Sequence, residues 1–321
     1  MKIDEIAPTV SVIVLTYNHG EYTEQALNSI LEQKTNFKYE ILVGDDRSTD
    51  DTVKILKKYK MMYPGYFRLF LNTKNLGATK NAYNLLKRAK GDYLAVCEGD
   101  DYWSDVQKLQ IQFDYLNENK MLVGCTHAFS VVDEFGKKID NADLIWVKKK
   151  QKFTINDFQG LFLPGQPGTF FRRNLIKQKK INLQWLYRLH CNLGDRTMMF
   201  LFLLCGDFGY IEREMSCYRK KTKNSITNSL KKNRLNQWKN DYLLIKKYEQ
   251  IANSYACNVS FTEGKKVLFA KMILCGIYKL NTEYFKSALK ILIQEKQPIH
   301  YCFYVPFYCF KRLSMELKEK L

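Results

Sequence analysis

The sequence predicts an α/β fold built on a doubly wound sheet, with a helical extension behind it. Three observations carry this. Short β-branched apolar runs alternate with helical periodicity over the first 130 residues, the connections between them are short, and the alternation gives way after about Ser229 to helical, basic sequence. The 321 residues are 46% hydrophobic and 14% aromatic, with few Pro and Gly, which excludes a disordered, collagenous or low-complexity chain.

Val10–Thr16 (VSVIVLT) is continuous and rich in Val and Ile, as a strand covered on both faces requires. Glu21–Gln33 places Tyr22, Ala26, Leu27, Ile30 and Leu31 at helical spacing. Tyr39–Val43 is the second strand and Thr52–Tyr63 the second helix, which Thr49 or Asp50 can cap and whose positive end suits Asp50 and Asp51. Phe67–Leu71 makes the third strand, and Ala78–Ala89 a helix behind the Asn75-Leu76-Gly77 turn. Asp92–Cys97 and Val106–Asn117 complete a parallel, doubly wound half. In such sheets ligands bind beyond the carboxyl ends of the strands.

From Met121 the rhythm changes. Leu122–Phe129 is strand-like, Asp133–Gly136 a hairpin turn, Lys148–Lys152 a basic loop and Thr169–Phe171 a short strand. Asp195–Leu204 reads as a buried helix, and Phe208–Ile211 and Glu214–Tyr218 as two further strands. The expected division is a catalytic domain over 1–229, with halves 1–120 and 121–229, and a basic helical region over 230–321.

The formal net charge is +18, and 230–321 alone holds seventeen basic against seven acidic residues. An anionic partner is implied: nucleic acid, an acidic membrane face or a phosphorylated substrate. The longest apolar run, Met198–Cys205, is far short of the roughly 20 residues of a bilayer span. The first residues lack the basic segment and cleavage site of a signal peptide, and the nine cysteines form no CxxC. The expectation is a cytoplasmic protein with reduced thiols.

Three acidic clusters each sit at a point where a ligand would enter. Asp45-Asp46-Arg47-Ser48-Thr49-Asp50-Asp51 closes the second strand, Glu98-Gly99-Asp100-Asp101 closes the fourth, and Gly194-Asp195 opens a hydrophobic helix. Carboxylates gathered at one sheet edge repel each other unless a cation sits among them. Oxygen ligands without His or Cys suit Mg²⁺ or Mn²⁺ held by one or two carboxylates and substrate phosphates. Asp50 and Asp51 have the plainer reading of helix-start residues, and Asp45-Asp46 that of a turn.

Val10–Asn18 ending in Thr16-Tyr17-Asn18, Asp45-Asp46 with Ser48–Thr52, the Asn75-Leu76-Gly77 turn and Glu98–Trp103 together resemble, in order and spacing, the family 2 glycosyltransferases of GT-A fold, a Rossmann-like nucleotide-binding sheet with helices on both faces. The resemblance covers about residues 8–220. It implies an inverting transferase using a nucleotide-sugar donor, with UDP the expected nucleotide, and a divalent metal, Mn²⁺ or Mg²⁺. Asp46 matches the acid that contacts the nucleotide base, with Thr16, Tyr17, Asn18 and Asp45 lining the same donor pocket. Asp101 would hold the metal bridging the diphosphate, and Asp100 would approach the ribose or the metal. Asp195 matches the general base that takes the acceptor hydroxyl's proton; its plainer reading is a helix cap. Many members carry a His after a Tyr-Arg pair, whereas Tyr218-Arg219-Lys220-Lys221 puts Lys221 there, so Arg219 and Lys221 are expected on diphosphate oxygens and the third metal ligand is left open. The resemblance also implies a glycan or lipid-linked acceptor in bacterial surface-polysaccharide synthesis.

Tyr301–Phe310, followed by Lys311-Arg312, has two readings: a membrane-interface segment giving peripheral contact with the inner membrane face, or rings packing a C-terminal helix. Two other classes compete with the transferase. A nucleic-acid-binding protein explains the charge but not acids at the strand ends, and no nucleic-acid motif is present. A nicotinamide-dependent oxidoreductase needs GxGxxG where this chain has Tyr17-Asn18-His19-Gly20. A non-catalytic nucleotide- or sugar-binding relative is a further alternative, against which Asp46, Asp100, Asp101 and Asp195 argue.

Overall fold

A computed structural model describes residues 7–140, 142, 144, 146–189, 194–220, 233–295 and 300–308. They fall into two compact units. One comprises the described residues of Met1–Ile139, Trp146–Thr154 and Leu163–Asn224; the other those of Asp140–Ile145, Ile155–Phe162 and Ser225–Leu321.

The first unit begins with β1 (Val10–Thr16), α1 (Gly20–Leu31), β2 (Tyr39–Asp45), α2 (Thr52–Met62), β3 (Phe67–Leu71), α3 (Ala78–Leu86) and β4 (Tyr93–Glu98). β1 pairs in parallel with β2 and β4, and β2 with β3. Alternation along β1 sends Val10, Val12 and Val14 to one face, where they join Ala26, Leu27 and Ile30 of α1 and Leu56 and Tyr59 of α2 in one core. α3 packs on β1 and β2, so both faces are covered. This is why the strand reads as an unbroken apolar run.

β5 (Tyr102–Trp103) and α4 (Lys108–Glu118) follow, then β6 (Gly124–Val132), β7 (Lys152–Phe153), a 3₁₀ turn at Pro167–Thr169, β8 (Phe171–Arg173), α6 (Gln184–Leu189), α7 (Gly194–Leu203) and β9 (Phe208–Arg219). Within one nine-stranded sheet the path is β3-β2-β1-β4-β8-β6-β9-β5, with β7 on β9. The sheet is therefore mixed: β8 runs antiparallel to both β4 and β6, while β9 is parallel to β6. The two short strands expected at 208–211 and 214–218 are one strand. The register against β6 shifts around Ala128, and the irregularity interrupts the apolar pattern without ending the ladder.

The second unit contains α5 (Ile155–Phe158), α8 (Arg234–Ser254), α9 (Thr262–Lys279), α10 (Thr282–Gln294) and a helical stretch at 300–308. Its membership extends back to 155–162 because Phe158 is fully buried between Tyr248 and Phe261, with ring centroids 5.6 Å away in each case. The buried Lys265 ammonium bridges Glu249 (2.9 Å) and Glu295 (3.1 Å). Among the described residues no helix is long and apolar enough to cross a membrane.

Candidate functional site

Register brings three strand ends to one edge: Thr16 lies opposite Asp45, and Leu15 opposite Glu98. Asp45 is buried and accepts hydrogen bonds from the Thr16 hydroxyl (3.0 Å), the Ser48 amide (2.9 Å) and the Ser48 hydroxyl (2.5 Å). Asn18, in the left-handed region at φ 54°, accepts the Thr49 amide on its side chain (2.7 Å) and donates its own amide to Ser48 (2.9 Å). Asp50 accepts the amides of Gly20 (2.9 Å) and Thr52 (3.0 Å), tying α1 to the start of α2. Burial opposes its charge, yet the hydrogen bonds from Thr52 and Gly20 prevail and lower its pKa. Thr16, Asn18 and Asp45 thus meet at the carboxyl ends of β1 and β2, where the ring of Tyr17 is half-exposed.

Asp46 is buried too. Its Oδ1 accepts Asn72 Nδ2 (3.0 Å) and the Leu76 amide (2.8 Å), and its Oδ2 accepts the Gly77 amide (2.8 Å). A carboxylate has about four acceptor positions, so acceptor capacity remains on Oδ2. The turn it holds needs glycine, since Gly77 sits at φ 84°.

The acidic turn between β4 and β5 is built around Gly99. A Cβ there would lie 2.7 Å from Thr16 Cγ2, 2.8 Å from His19 Nδ1 and 2.9 Å from the Leu15 carbonyl. Asp101 is buried; Oδ1 accepts the Arg219 amide (2.8 Å), and Oδ2 has no hydrogen-bond partner. Asp100 Oδ2 lies 3.8 Å from His19 Nε2, and His19 Nδ1 is buried without a partner. Burial, and then the Asp100 charge, push the Asp101 carboxyl well above the usual range, against the pull of Arg219. Glu98 is raised by burial and then by Asp195, Asp101 and Asp100. Four carboxylates from two chain segments, the turn at 98–101 and the start of α7, therefore share one electrostatic field.

Asp195 stands in the first turn of α7 and reaches solvent. The protein packed around it still removes enough hydration to raise its pKa, opposed by Arg172 and Arg196. α7 approaches α3 so closely that a Cβ on Gly194 would lie 2.9 Å from the Thr79 hydroxyl.

Arg219 was expected on the donor's diphosphate, but the structure gives its guanidinium other partners. Nε donates to the Asp100 carbonyl (2.9 Å), one terminal nitrogen to the carbonyls of Asp133 (3.2 Å) and Glu134 (2.9 Å), and the other to Gln25 Oε1 (2.6 Å). Tyr22 and Tyr102 pack against it. It clasps the acidic turn. Lys221 lies outside the described residues.

Sequence reasoning gave no role to three buried groups. His19 abuts Asp100. Arg172 on β8 lies against Phe170 and Phe202 with Nε unpartnered, and burial brings its pKa down to about 10. Lys108 is fully buried over Trp103 (4.2 Å) and bonded to Gln112 (2.7 Å), and burial lowers its pKa to about 7. A lysine at helical spacing reads as a surface residue, so no local signal reveals Lys108. Trp103 itself is buried.

Among the described residues no group of three or more His, Cys, Asp or Glu is arranged as a closed metal site. The Asp101 Oδ2, unpartnered among the described residues, and the carboxylates of Asp100 and Glu98 near it nevertheless fit an ion that takes few protein ligands and completes its shell with phosphate and water.

Several known proteins are similar to this chain. The TuaG protein of Bacillus subtilis, a putative teichuronic acid biosynthesis glycosyltransferase, is 32% identical over 133 residues, 41% of this chain and 51% of that protein. An uncharacterized Mycobacterium tuberculosis protein, Rv1520, is 40% identical over 129 residues, 40% of this chain and 37% of that protein. The matches thus span about half or less of these curated relatives. Among solved structures, Staphylococcus aureus TarS 1–349 in complex with UDP-GlcNAc superposes with a TM-score of 0.60 at 17% identity, over 88% of this chain and 79% of that one. The Pyrobaculum calidifontis mannosyltransferase PcManGT with GDP-Man and Mn²⁺ gives 0.52 at 15% identity, over 98% and 88%. These likenesses establish the GT-A fold. The family described as glycosyl transferase family 2 matches residues 11–179, a stretch containing both strand-end acid clusters, and the chain belongs to that family.

Proposed function

We propose that this protein transfers a sugar from a UDP-sugar to an acceptor hydroxyl with inversion at the anomeric carbon. The observation that carries the reading is the convergence of Glu98, Asp100, Asp101 and Asp195 on one sheet edge, with an oxygen of Asp101 buried and unpartnered. Asp46, Thr16, Tyr17, Asn18 and Asp45 line the nucleotide pocket, and Asp46 turns its remaining acceptor capacity to the base. Asp101 and Asp100 would hold a Mn²⁺ or Mg²⁺ ion, whose positive charge stabilises the departing diphosphate. Lys221 adds a cation to that diphosphate, while Arg219 keeps the acidic turn in place. Asp195 takes the acceptor hydroxyl's proton; a carboxyl raised above its ordinary range is the better base. Attack from the face opposite the leaving group gives inversion in a single displacement.

The likeness to TuaG, a putative teichuronic acid biosynthesis glycosyltransferase, supports a surface-polysaccharide acceptor, and the likeness to TarS supports UDP over the GDP of PcManGT. We place the protein in the cytoplasm, held peripherally at the inner membrane face where a lipid-linked acceptor is presented. Thermal shift and slow donor hydrolysis, measured with Mn²⁺ or Mg²⁺ against UDP-GlcNAc, other UDP-sugars and GDP-mannose, test the donor site. Metal-dependent stabilisation by UDP and one UDP-sugar, lost in Asp101→Ala, is expected. Asp195→Asn retains that stabilisation and loses transfer by at least about 10²-fold. No response to any nucleotide with either metal would remove the transferase reading.

A further inference from the structure

We infer that the hairpin made by the end of α9 and the outer face of α10 is the surface that rests on an anionic membrane. This deepens the peripheral-attachment reading and rests on it, not on the transferase chemistry.

α10 is apolar over two faces. Tyr284, Ser287, Ala288 and Ile291 point inward and are buried. Phe285, Leu289 and Ile293, spaced i, i+4 and i+8, form a second stripe that is exposed, and Ile293 is 75% exposed. A helix needs only one apolar face to join a core, and the second leaves Leu289 and Ile293 exposed among the described residues. Lys286 and Lys290 lie beside the stripe, and Glu283 is the single acid between residues 277 and 294.

The turn entering α10 continues the patch. Ile277, Tyr278 (89% exposed) and Leu280 (91% exposed) stand at its tip. Leu280 holds the left-handed C-terminal position of α9 at φ 50°, where glycine is the unstrained choice. An exposed leucine there costs backbone strain and buries nothing in the free chain. Tip and stripe are in contact, because the Phe285 ring lies against Gly276, where a Cβ would be 3.0 Å away.

The charge selects the occupant. Lys279, Lys286 and Lys290 surround the patch in a region carrying seventeen basic and seven acidic residues. Apolar side chains flanked by lysines on a thirteen-residue helix suit the headgroup boundary of an anionic bilayer, with the helix lying in the plane. At that length the helix cannot span. The aromatic segment has a divided role: Tyr301 is buried against Phe269, with ring centroids 5.8 Å apart, while Phe303 and Phe307 are exposed.

Flotation of the full chain with phosphatidylcholine vesicles, and with vesicles containing 30% phosphatidylglycerol, tests the assignment beside Leu289→Glu/Ile293→Glu. Both side chains are exposed, so the variant should keep the wild-type melting temperature and donor-induced thermal shift. The expected result is flotation only with the anionic vesicles, weakened by salt, and a fall in partition of at least about tenfold in the variant. Equal flotation of variant and wild type would overturn the hairpin while leaving attachment intact. No flotation of the wild type would overturn both. A wild-type dimer in light scattering that the variant converts to monomer would mean that a second copy covers the stripe, and would overturn the membrane assignment.

Discussion

At Asp101 one carboxylate oxygen is satisfied by the Arg219 amide and the other by nothing among the described residues, beside the charge of Asp100. Such an arrangement lowers the stability of the ligand-free chain and is retained for what it binds. Asp101→Asn should therefore raise the melting temperature of the ligand-free protein by roughly 2–4 °C, about 1 kcal/mol, while abolishing its response to metal and donor. The sign of the pH dependence follows from the raised carboxyl. The folded chain holds that proton more tightly than the unfolded chain, so its stability is full below the ordinary carboxylate range of about 4 and declines as pH rises through the elevated value. The advantage of Asp101→Asn in thermal melts should widen from pH 4 to pH 8; a constant difference would show that the charge is not the cause. The local motifs were legible in the sequence because each pairs a strand end with its own turn, as Asp45 does with Ser48. His19 was not, because its meeting with Asp100 depends on how two loops separated by 80 residues are stacked.

Among the elements, β9 departs furthest from a local reading. It runs parallel to β6, pairs antiparallel with β5 and ends in Arg219, whose guanidinium spans carbonyls at 100, 133 and 134. Lysine keeps the charge but lacks the fork that reaches these acceptors together. Arg219→Lys should thus cost about 2–3 kcal/mol of stability in denaturant titrations. It should also weaken donor affinity while leaving the pH optimum of transfer in place. An unchanged denaturation midpoint would return Arg219 to the diphosphate-contact role. The parallel half was readable as strand–helix alternation from Val10 to Glu98, since each strand there is long enough to show its apolar run and each helix its period. β8 begins two residues beyond the start of the short strand expected at Thr169–Phe171, and the short helix at Ile155–Phe158 was hidden, both for the opposite reason. Three or four residues carry too little periodicity, and only the burial of Phe158 among partners some 90 residues later defines its place.

Across the whole molecule, a second titration opposes that of Asp101. Lys108 is held at about 7, below its ordinary value of about 10.4, so between these limits the unfolded chain binds a proton that the folded chain has released. Its penalty is largest below pH 7 and fades as pH rises. Comparing chemical denaturation of wild type and Lys108→Met cancels contributions common to both, and the difference should shift toward the wild type between about pH 7 and pH 10. A flat difference would place the ammonium's proton outside that window. The clasp on the acidic turn also has a consequence in time. Asp101 and Arg219 are 118 residues apart. At roughly 5–20 residues per second, a ribosome delivers the second about 6–24 s after the first. The nascent parallel half can pair its strands during that interval, while the acidic turn goes without its Arg219 clasp until the last strand has been made.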